Sequence, residues 1–585
     1  MTKLNASVDS EIERAATAAP SAPQTAASGL WVGVALATAW TLLNAVKPVH
    51  VDDTTYYQYA RQIAAHPTDP YGFSLMYFTV LVPANEVLVP PVFPYAWAPA
   101  IRLFGSQPVL WKLWLMPFNF LFVLMLLALL RRFARGMEAP LLSMTVLSPL
   151  FLPSVNLMLD VPAEALSLLA IVLFMRAVDR NQELLAVLAG AVAGVAMQTK
   201  YTAALSPAVM LVYALLGRKP RLWLNAAVPA ALIFVLWEIF VAQRYGNSHF
   251  LLHAARQQRS LDTYVRLGVG LLTQLGATSP ALGVLALAAC GAAGWMVAAA
   301  AVAAALVYLF LALGAFDSGT AILTLPGAGP LNGPLITFAV MGVLILGGWL
   351  ASARTLLRHR RPPEREAIFL VAWLAIELLG CLVLSPFPAA RRLLGIAIAA
   401  TLLIGRLGSE WRGPRRNIVW GATLASILLG GLFYVVDLRE SVAEKQAVAE
   451  AFEQIGSRPA GSVIWHNAYW GFQFYAEQAG ARQAAPVSQE GRGTPPKPTQ
   501  LHVGDYVLLV DPPIPTIWLA LQKSMAQRVG TMEVTDRVPL ACTEFYGGIK
   551  PLQHHVGPRV RVTVLRLIED VSVRTGEIDV KPPER

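Results

Sequence analysis

The sequence predicts an α-helical polytopic membrane protein of about thirteen transmembrane helices, followed by a small C-terminal α/β domain. Three observations carry this. The chain has 585 residues, of which 56% are hydrophobic and only 14% charged, whereas soluble domains carry about 25% charged residues. Apolar stretches long enough to cross a bilayer, roughly 17–25 residues each, recur along most of it. Composition turns mixed and polar near Asp437 and stays so to Arg585. The apolar excess excludes a disordered, fibrous or simple cytosolic chain. The division is then a disordered cytoplasmic tail over 1–28, a membrane domain over 29–437 and a soluble domain over 438–585.

The tail is rich in Ala, Ser, Thr and Pro. No basic start leads into a short apolar core with a cleavage site, so it does not read as a secretory signal. Spans are expected near 29–46, 109–130, 140–156, 161–178, 184–198, 200–217 and 221–242. They continue near 264–287, 289–313, 334–353, 366–385, 391–408 and 417–437. In the polar region Gly461–Trp465, Asp505–Asp511 and Arg559–Leu567 read as strands, being rich in β-branched residues between turn residues. Ser441–Ile455 and Ala468–Gln478 read as helices.

Net charge is +10. No nucleic-acid motif accompanies it, and Lys and Arg at the cytoplasmic ends of membrane helices explain it. Alternate short loops hold Arg131, Arg132 and Arg135, then Arg176 and Arg180, then Arg218, Lys219 and Arg221. Later loops add Arg354 to Arg365 and Arg406 to Arg416. These loops are placed in the cytoplasm with the N-terminus, so the loop 47–108 and the C-terminal domain face outward. The loop 243–266 breaks the rule with Arg244, Arg256, Arg259 and Arg266, which asks for another partner, such as an anionic ligand. Cys290 and Cys381 lie in apolar segments and Cys542 is the third cysteine; no disulfide framework or Cys-rich metal site follows.

The first outward loop opens His50-Val51-Asp52-Asp53-Thr54-Thr55-Tyr56-Tyr57. Either acid suits a helix cap, but two exceed what a cap needs. A carboxylate in a low-dielectric pocket at the membrane surface can act as a general base on a hydroxyl. Asp160 lies in a short outward turn at the same face, with Glu164 one helical turn deeper. Acids in an apolar stretch are costly and are usually functional or paired; a cap before Pro162 is the structural alternative. Lys200, Arg391 and Arg392 also sit on the outward side, against the positive-inside rule. Snorkelling to headgroups would explain them. A phosphate clamp explains them better, since Arg donates bidentate hydrogen bonds and Lys a point charge. Arg256 is a weaker candidate for that role, and Tyr56, Tyr57 and Tyr201 are candidate substrate-binding side chains.

Together these pieces resemble the integral-membrane glycosyltransferases of the C superfamily, in the branch of the lipid A aminoarabinose transferases and protein O-mannosyltransferases. The matching residues are Asp52-Asp53-Thr54-Thr55-Tyr56, Pro90 to Tyr95 leading to Arg102-Leu103-Phe104-Gly105, and Leu159-Asp160-Val161-Pro162 with Arg176-Ala177. Thr199-Lys200-Tyr201-Thr202-Ala203, Arg391-Arg392-Leu393-Leu394 and Trp470 to Glu477 complete the set. The chain has Asp53 where the family often has Glu, Val89 before Pro90 where the aminoarabinose branch has Lys, and Arg392 and Gly395 where Tyr and Pro are common. The resemblance therefore implies no particular sugar.

It implies an enzyme that takes a sugar from a polyprenyl-phosphate-linked donor and passes it to a cell-envelope acceptor (lipid, glycan or protein). Asp52 is the implied base of an inverting displacement. Asp160 orients, and Lys200 and Arg391 hold the phosphate. A divalent metal between Asp52 and Asp160 stays open; two carboxylates without a His cluster suit Mg²⁺ or Mn²⁺ better than Zn²⁺. The Ala-, Arg- and Gly-rich composition fits a bacterial source and hence the inner (plasma) membrane. A transporter or lipid flippase is the alternative function, and a non-catalytic envelope scaffold a third. The aromatic residues 465–475 read as packing between the two domains, and Gln489–Thr499 as a cover over the site.

Overall fold

The computed structural model describes residues 22–77, 80–256, 259–315, 320–358, 364–411, 413–484, 498–511, 525–574 and 577–579. Most of residues 1–28 and of Gln489–Thr499 lie outside these. Among the described residues eight helices are long and apolar enough to cross a membrane. They are Gly29–Val46, Pro108–Phe133, Asp160–Arg180, Pro220–Tyr245, Gly294–Ala312, Gly333–Arg358, Arg365–Leu384 and Arg415–Ile455. Leu261–Thr278 and Pro280–Ala289 pass as a ninth only together, because they are bent by 85°. Glu183–Met197, Tyr201–Leu216 and Leu394–Gly408 are apolar but shorter.

Three of the thirteen expected spans, near 184–198, 200–217 and 391–408, are the shorter helices, and at two others proline interrupts the helix. The stretch 140–156 is helical only over Glu138–Val146. Pro149 and Pro153 lack the N–H a helix needs and clash with the preceding turn, and residues 150–159 continue as buried turns and bends. Pro280 likewise breaks the expected span 264–287. The opposite happens at Asp437, where the change in composition contains no Gly or Pro. The expected span 417–437 and helix 441–455 are therefore one helix, Pro414–Ile455.

That long helix joins the two parts of the chain. Ala443, Ala447, Val448 and Ala451 on its C-terminal half pack with Ile464, Leu508, Val562 and Val564. The last four belong to a five-stranded sheet in the order 482–483, 464–466, 506–511, 560–567, 526–534. The 464–466 strand pairs parallel with both its neighbours. The other pairings are antiparallel, with Val562 opposite Val510 and Met532. The three strands read from sequence appear within a few residues of their expected bounds. The 526–534 strand escaped notice because its residues, exposed or half-buried except Val534 as on a sheet edge, do not alternate clearly. The loop 47–108 folds into helix Asp53–Ala65, the hairpin Ser74–Tyr77 with Val80–Pro83, and helix Val92–Phe104.

Small residues set the helix spacing, as is common where lipid removes the hydrophobic drive between helices. A Cβ on Gly276 would lie 1.9 Å from the Phe338 carbonyl oxygen, and one on Gly342 2.0 Å from that of Leu272. Gly276→Ala must therefore separate helices 261–278 and 333–358. The expected loss is about 1–3 kcal/mol, the usual scale of overpacking, read as a lower melting temperature of the detergent-purified protein. An unchanged melting temperature would refute this contact.

Candidate active site

The helix Asp53–Ala65 starts just after Val51, a β-branched residue at φ 50. Such residues rarely adopt this conformation, and it marks local strain. Asp52 occupies the N-cap position but makes no cap hydrogen bond. Its Oδ2 accepts instead from Arg391 Nη2 at 2.6 Å. Asp160, at the first turn of helix Asp160–Arg180, lies with Oδ2 3.6 Å from Arg391 Nη1. Its Oδ1 forms a short ion pair with Lys200 Nζ. The result is a row of alternating charges, Asp52, Arg391, Asp160, Lys200. Asp52 is 31% exposed, whereas Arg391 and Asp160 are 6% and 3% exposed. The row thus presents one reachable carboxylate on a buried base.

Arg391 lies in a short 3₁₀ turn, Ala390–Arg392, ahead of helix Leu394–Gly408. Its Nε donates to the Tyr546 carbonyl at 3.1 Å and its Nη1 to Met158 Sδ at 3.4 Å. Burial works against its charge, but Asp52 and Asp160 outweigh burial and raise its pKa. The Lys200 pKa is lowered by burial, with Asp160 resisting. Burial and then Arg391 lower that of Arg392. Arg392 rests on the Phe387 ring at 5.1 Å, and its Nε is buried without a hydrogen-bond partner among the described residues. Tyr56 is buried beside the row, and burial followed by Asp52 raises its pKa. A cavity of about 40 Å³ touches Lys200, Arg391, Arg392, Glu164 and Glu377. At about 10–15 Å³ per water it holds a few waters and no sugar.

Asp53 takes no part in this row. It is fully buried, and its Oδ2 accepts from the His50 backbone N–H at 3.2 Å. Burial, opposed by Lys112 and Lys47, raises its pKa to about 6. It borders a second network. Lys47 Nζ donates to Asp437 Oδ2 at 2.6 Å and to the Pro153 carbonyl at 3.0 Å. Tyr546 Oη lies 2.8 Å from Asp437 Oδ1 and 3.0 Å from the same Pro153 carbonyl, and accepts from Asn156 at 2.9 Å. His50 Nδ1 is 2.8 Å from Glu444 Oε2. Burial alone would lower the His50 pKa. Glu444, then Asp437 and Glu440, outweigh it and raise it to about 9.

The remaining candidates lie elsewhere. Tyr57 stacks on Trp111 at 5.1 Å and meets Phe474 edge-on at 5.3 Å, which is core packing. Tyr201 Oη is 2.8 Å from Glu238 and 2.6 Å from His249, apart from the charge row. Arg256 is half exposed and pairs with Glu86 at 2.7 Å, and Arg244 lies 3.6 Å from Asp69. Carboxylates of the loop 47–108 thus supply partners for two of the four arginines of the loop 243–266, and Arg259 donates to the Leu382 carbonyl at 2.7 Å. Trp465 donates to Asp505 at 2.8 Å inside the domain, and Phe474 packs under Tyr57. Among the described residues no three His, Cys, Asp or Glu side chains converge as metal ligands. The Arg391 guanidinium stands between Asp52 and Asp160, so this donor set does not fit a divalent ion. Sequence reasoning missed Lys47, Asp437 and Tyr546. The signal for the first two was a Lys at a span end and an Asp within an apolar helix; Tyr546 carried none.

Residues 88–242 match the family described as dolichyl-phosphate-mannose-protein mannosyltransferase. This agrees with the resemblance read from the motifs, and the stretch contains Asp160 and Lys200. No curated protein matches the chain. Among solved structures, the chain is similar to ArnT from Cupriavidus metallidurans in the apo state. Identity is 17% and the TM-score 0.41, over 92% of this chain and 98% of that one. The same protein bound to undecaprenyl phosphate gives 16% identity and a TM-score of 0.40, over 92% and 97%. AglB from Archaeoglobus fulgidus, in complex with an inhibitory peptide and a dolichol-phosphate, gives 13% and 0.39, over 77% and 63%.

Two outcomes follow from the geometry. The folded His50 pKa of about 9 lies above the ordinary histidine value of 6.5, so its ion pair stabilises the fold fully below about pH 6.5. That stability, roughly 3 kcal/mol, is lost as pH rises through 9. Melting curves from pH 6 to 10 should fall for the wild type and flatten for His50→Gln; parallel curves would show that His50 is not held charged. Arg391→Ala should cost about 3 kcal/mol by leaving buried Asp160 with Lys200 alone. Arg391→Lys should recover part of the melting temperature, and equal losses in both would mean that charge is not the cause.

Proposed function

We propose that this chain is a membrane glycosyltransferase that moves a sugar from a polyprenyl-phosphate-linked donor to a cell-envelope acceptor. The observation that carries this reading is the alternating row in which Arg391 joins Asp52 to Asp160, and Asp160 to Lys200. The family match over residues 88–242 supports the same class. The charged groups gather at one end of the helices, as a site for a lipid phosphate at the interface requires. A transporter would place them near the midplane.

In this reading the donor phosphate lies against Lys200 and Arg392, whose Nε has no other hydrogen-bond partner. The free oxygen of Asp52 takes the proton of an acceptor hydroxyl or amine. That group attacks the anomeric carbon while the bond from this carbon to the phosphate oxygen breaks. The electron pair leaves with the polyprenyl phosphate, where the cations stabilise its developing charge. One displacement inverts the anomeric centre. Asp160 holds Arg391 and Lys200 in place and does not touch the sugar. No metal step is used. The proposed setting is a bacterial inner membrane, with the N-terminus cytoplasmic and the site and C-terminal domain outside.

The test is donor consumption by purified protein with envelope extract as acceptor. Asp52→Asn should slow turnover by about 10²–10⁴, the usual range for a lost general base, with a smaller loss of melting temperature than Arg391→Ala, because Arg391 keeps Asp160 as a partner. Product anomers inverted from the donor support the single displacement. Wild-type turnover by Asp52→Asn, or retained configuration, would overturn it.

A further inference from the structure

At the other end of the helices a second group of cations surrounds a cleft of about 530 Å³. It is lined by Arg131, Arg132, Arg135, Arg176 and Arg406, with Glu366 as its single carboxylate. Asp160 and Arg176 are sixteen residues apart on one helix, so the cleft lies about 24 Å from the site described above. Arginines at helix ends are expected from topology alone. What topology does not require is that three helix ends and one helix start should enclose a cavity.

The cations of the cleft are of two kinds. Arg132 is tied by Asp179, by Glu366 at 3.1 Å and by the Tyr213 hydroxyl at 2.6 Å. Arg406 is tied to Glu364 at 2.6 Å. These two are structural. Arg135 and Arg176 make no hydrogen bond or ion pair among the described residues, and both are exposed. Between the guanidiniums the wall is apolar, with Leu129, Phe133, Val172 and Met175. A cleft that is cationic and apolar at once, at the end of membrane helices, matches a phosphate ester joined to hydrocarbon. Guanidinium is the side chain best shaped for phosphate, and basic pockets at helix ends take lipid head groups.

We propose that this cleft binds the phosphate of an anionic phospholipid headgroup, with Arg135 and Arg176 as its principal donors. The inference is independent of the proposed transfer chemistry, which uses neither residue.

The test uses full-length protein in an uncharged maltoside detergent, with phosphatidylglycerol, phosphatidylcholine or inorganic phosphate added. Native mass spectrometry counts bound lipid and melting temperature reports the fold. The wild type should retain phosphatidylglycerol over phosphatidylcholine. Arg135→Ala/Arg176→Ala should weaken that retention about tenfold or more, with an unchanged melting temperature in phosphatidylcholine and unchanged donor consumption. Arg135→Lys/Arg176→Lys should keep an intermediate affinity. Undiminished phosphatidylglycerol retention by the alanine variant would overturn the site. Stabilisation by inorganic phosphate that equals that by phosphatidylglycerol would overturn the lipid assignment in favour of a free phosphate.

Discussion

The structure depends on one buried guanidinium. Arg391 is removed from water, and a charge so placed is tolerated only when it is paired and hydrogen-bonded. Its partners come from three distant parts of the chain. Asp52 belongs to the loop after the first span, Asp160 to the start of another span, and the Tyr546 carbonyl to the C-terminal region. Satisfying Arg391 therefore brings these three parts together. Asp160 is in turn neutralised by Lys200 from a fourth segment. Asp52 is the most exposed member of the row, at 31%, and its carboxylate is the one a ligand can reach.

A second buried network holds the first in position. Lys47, Asp437, Tyr546 and His50 join the end of the first span, the middle of the long helix and the C-terminal domain. Tyr546 belongs to both networks, through its carbonyl in one and its hydroxyl in the other. The loop between them is short and strained. Val51 has positive φ, as does Trp470 facing it across the Thr54 hydrogen bond to the Trp470 carbonyl. A Cβ on Gly471 would lie 2.4 Å from the Val49 carbonyl oxygen, so the domain presses directly on the segment that carries Asp52. The C-terminal region is thus part of the site's frame.

The two ends of the helix bundle use charge differently. Near Asp52 acids and bases alternate and nearly balance, which suits a site where charge moves during reaction. At the opposite end arginines outnumber the one carboxylate that lines their cleft. That excess suits a site where a permanent anion rests.

The sequence by itself determined the class of the protein and singled out the residues of the row. Hydropathy marks most of the membrane helices because a bilayer leaves no other use for such stretches. Asp52, Asp160, Lys200 and Arg391 were legible because each is costly where it stands. Only the tertiary structure decided which of two adjacent acids faces the site. Asp52 and Asp53 are equivalent on paper, but successive residues of a helix start point about 100° apart, and packing assigns one to Arg391 and the other to the His50 backbone. It also decided that Tyr57 and Tyr201 belong to packing and to a separate hydrogen-bond cluster. The partner of Arg391 at Tyr546 lies 155 residues away; no local pattern encodes a contact to a backbone carbonyl, because every residue carries one.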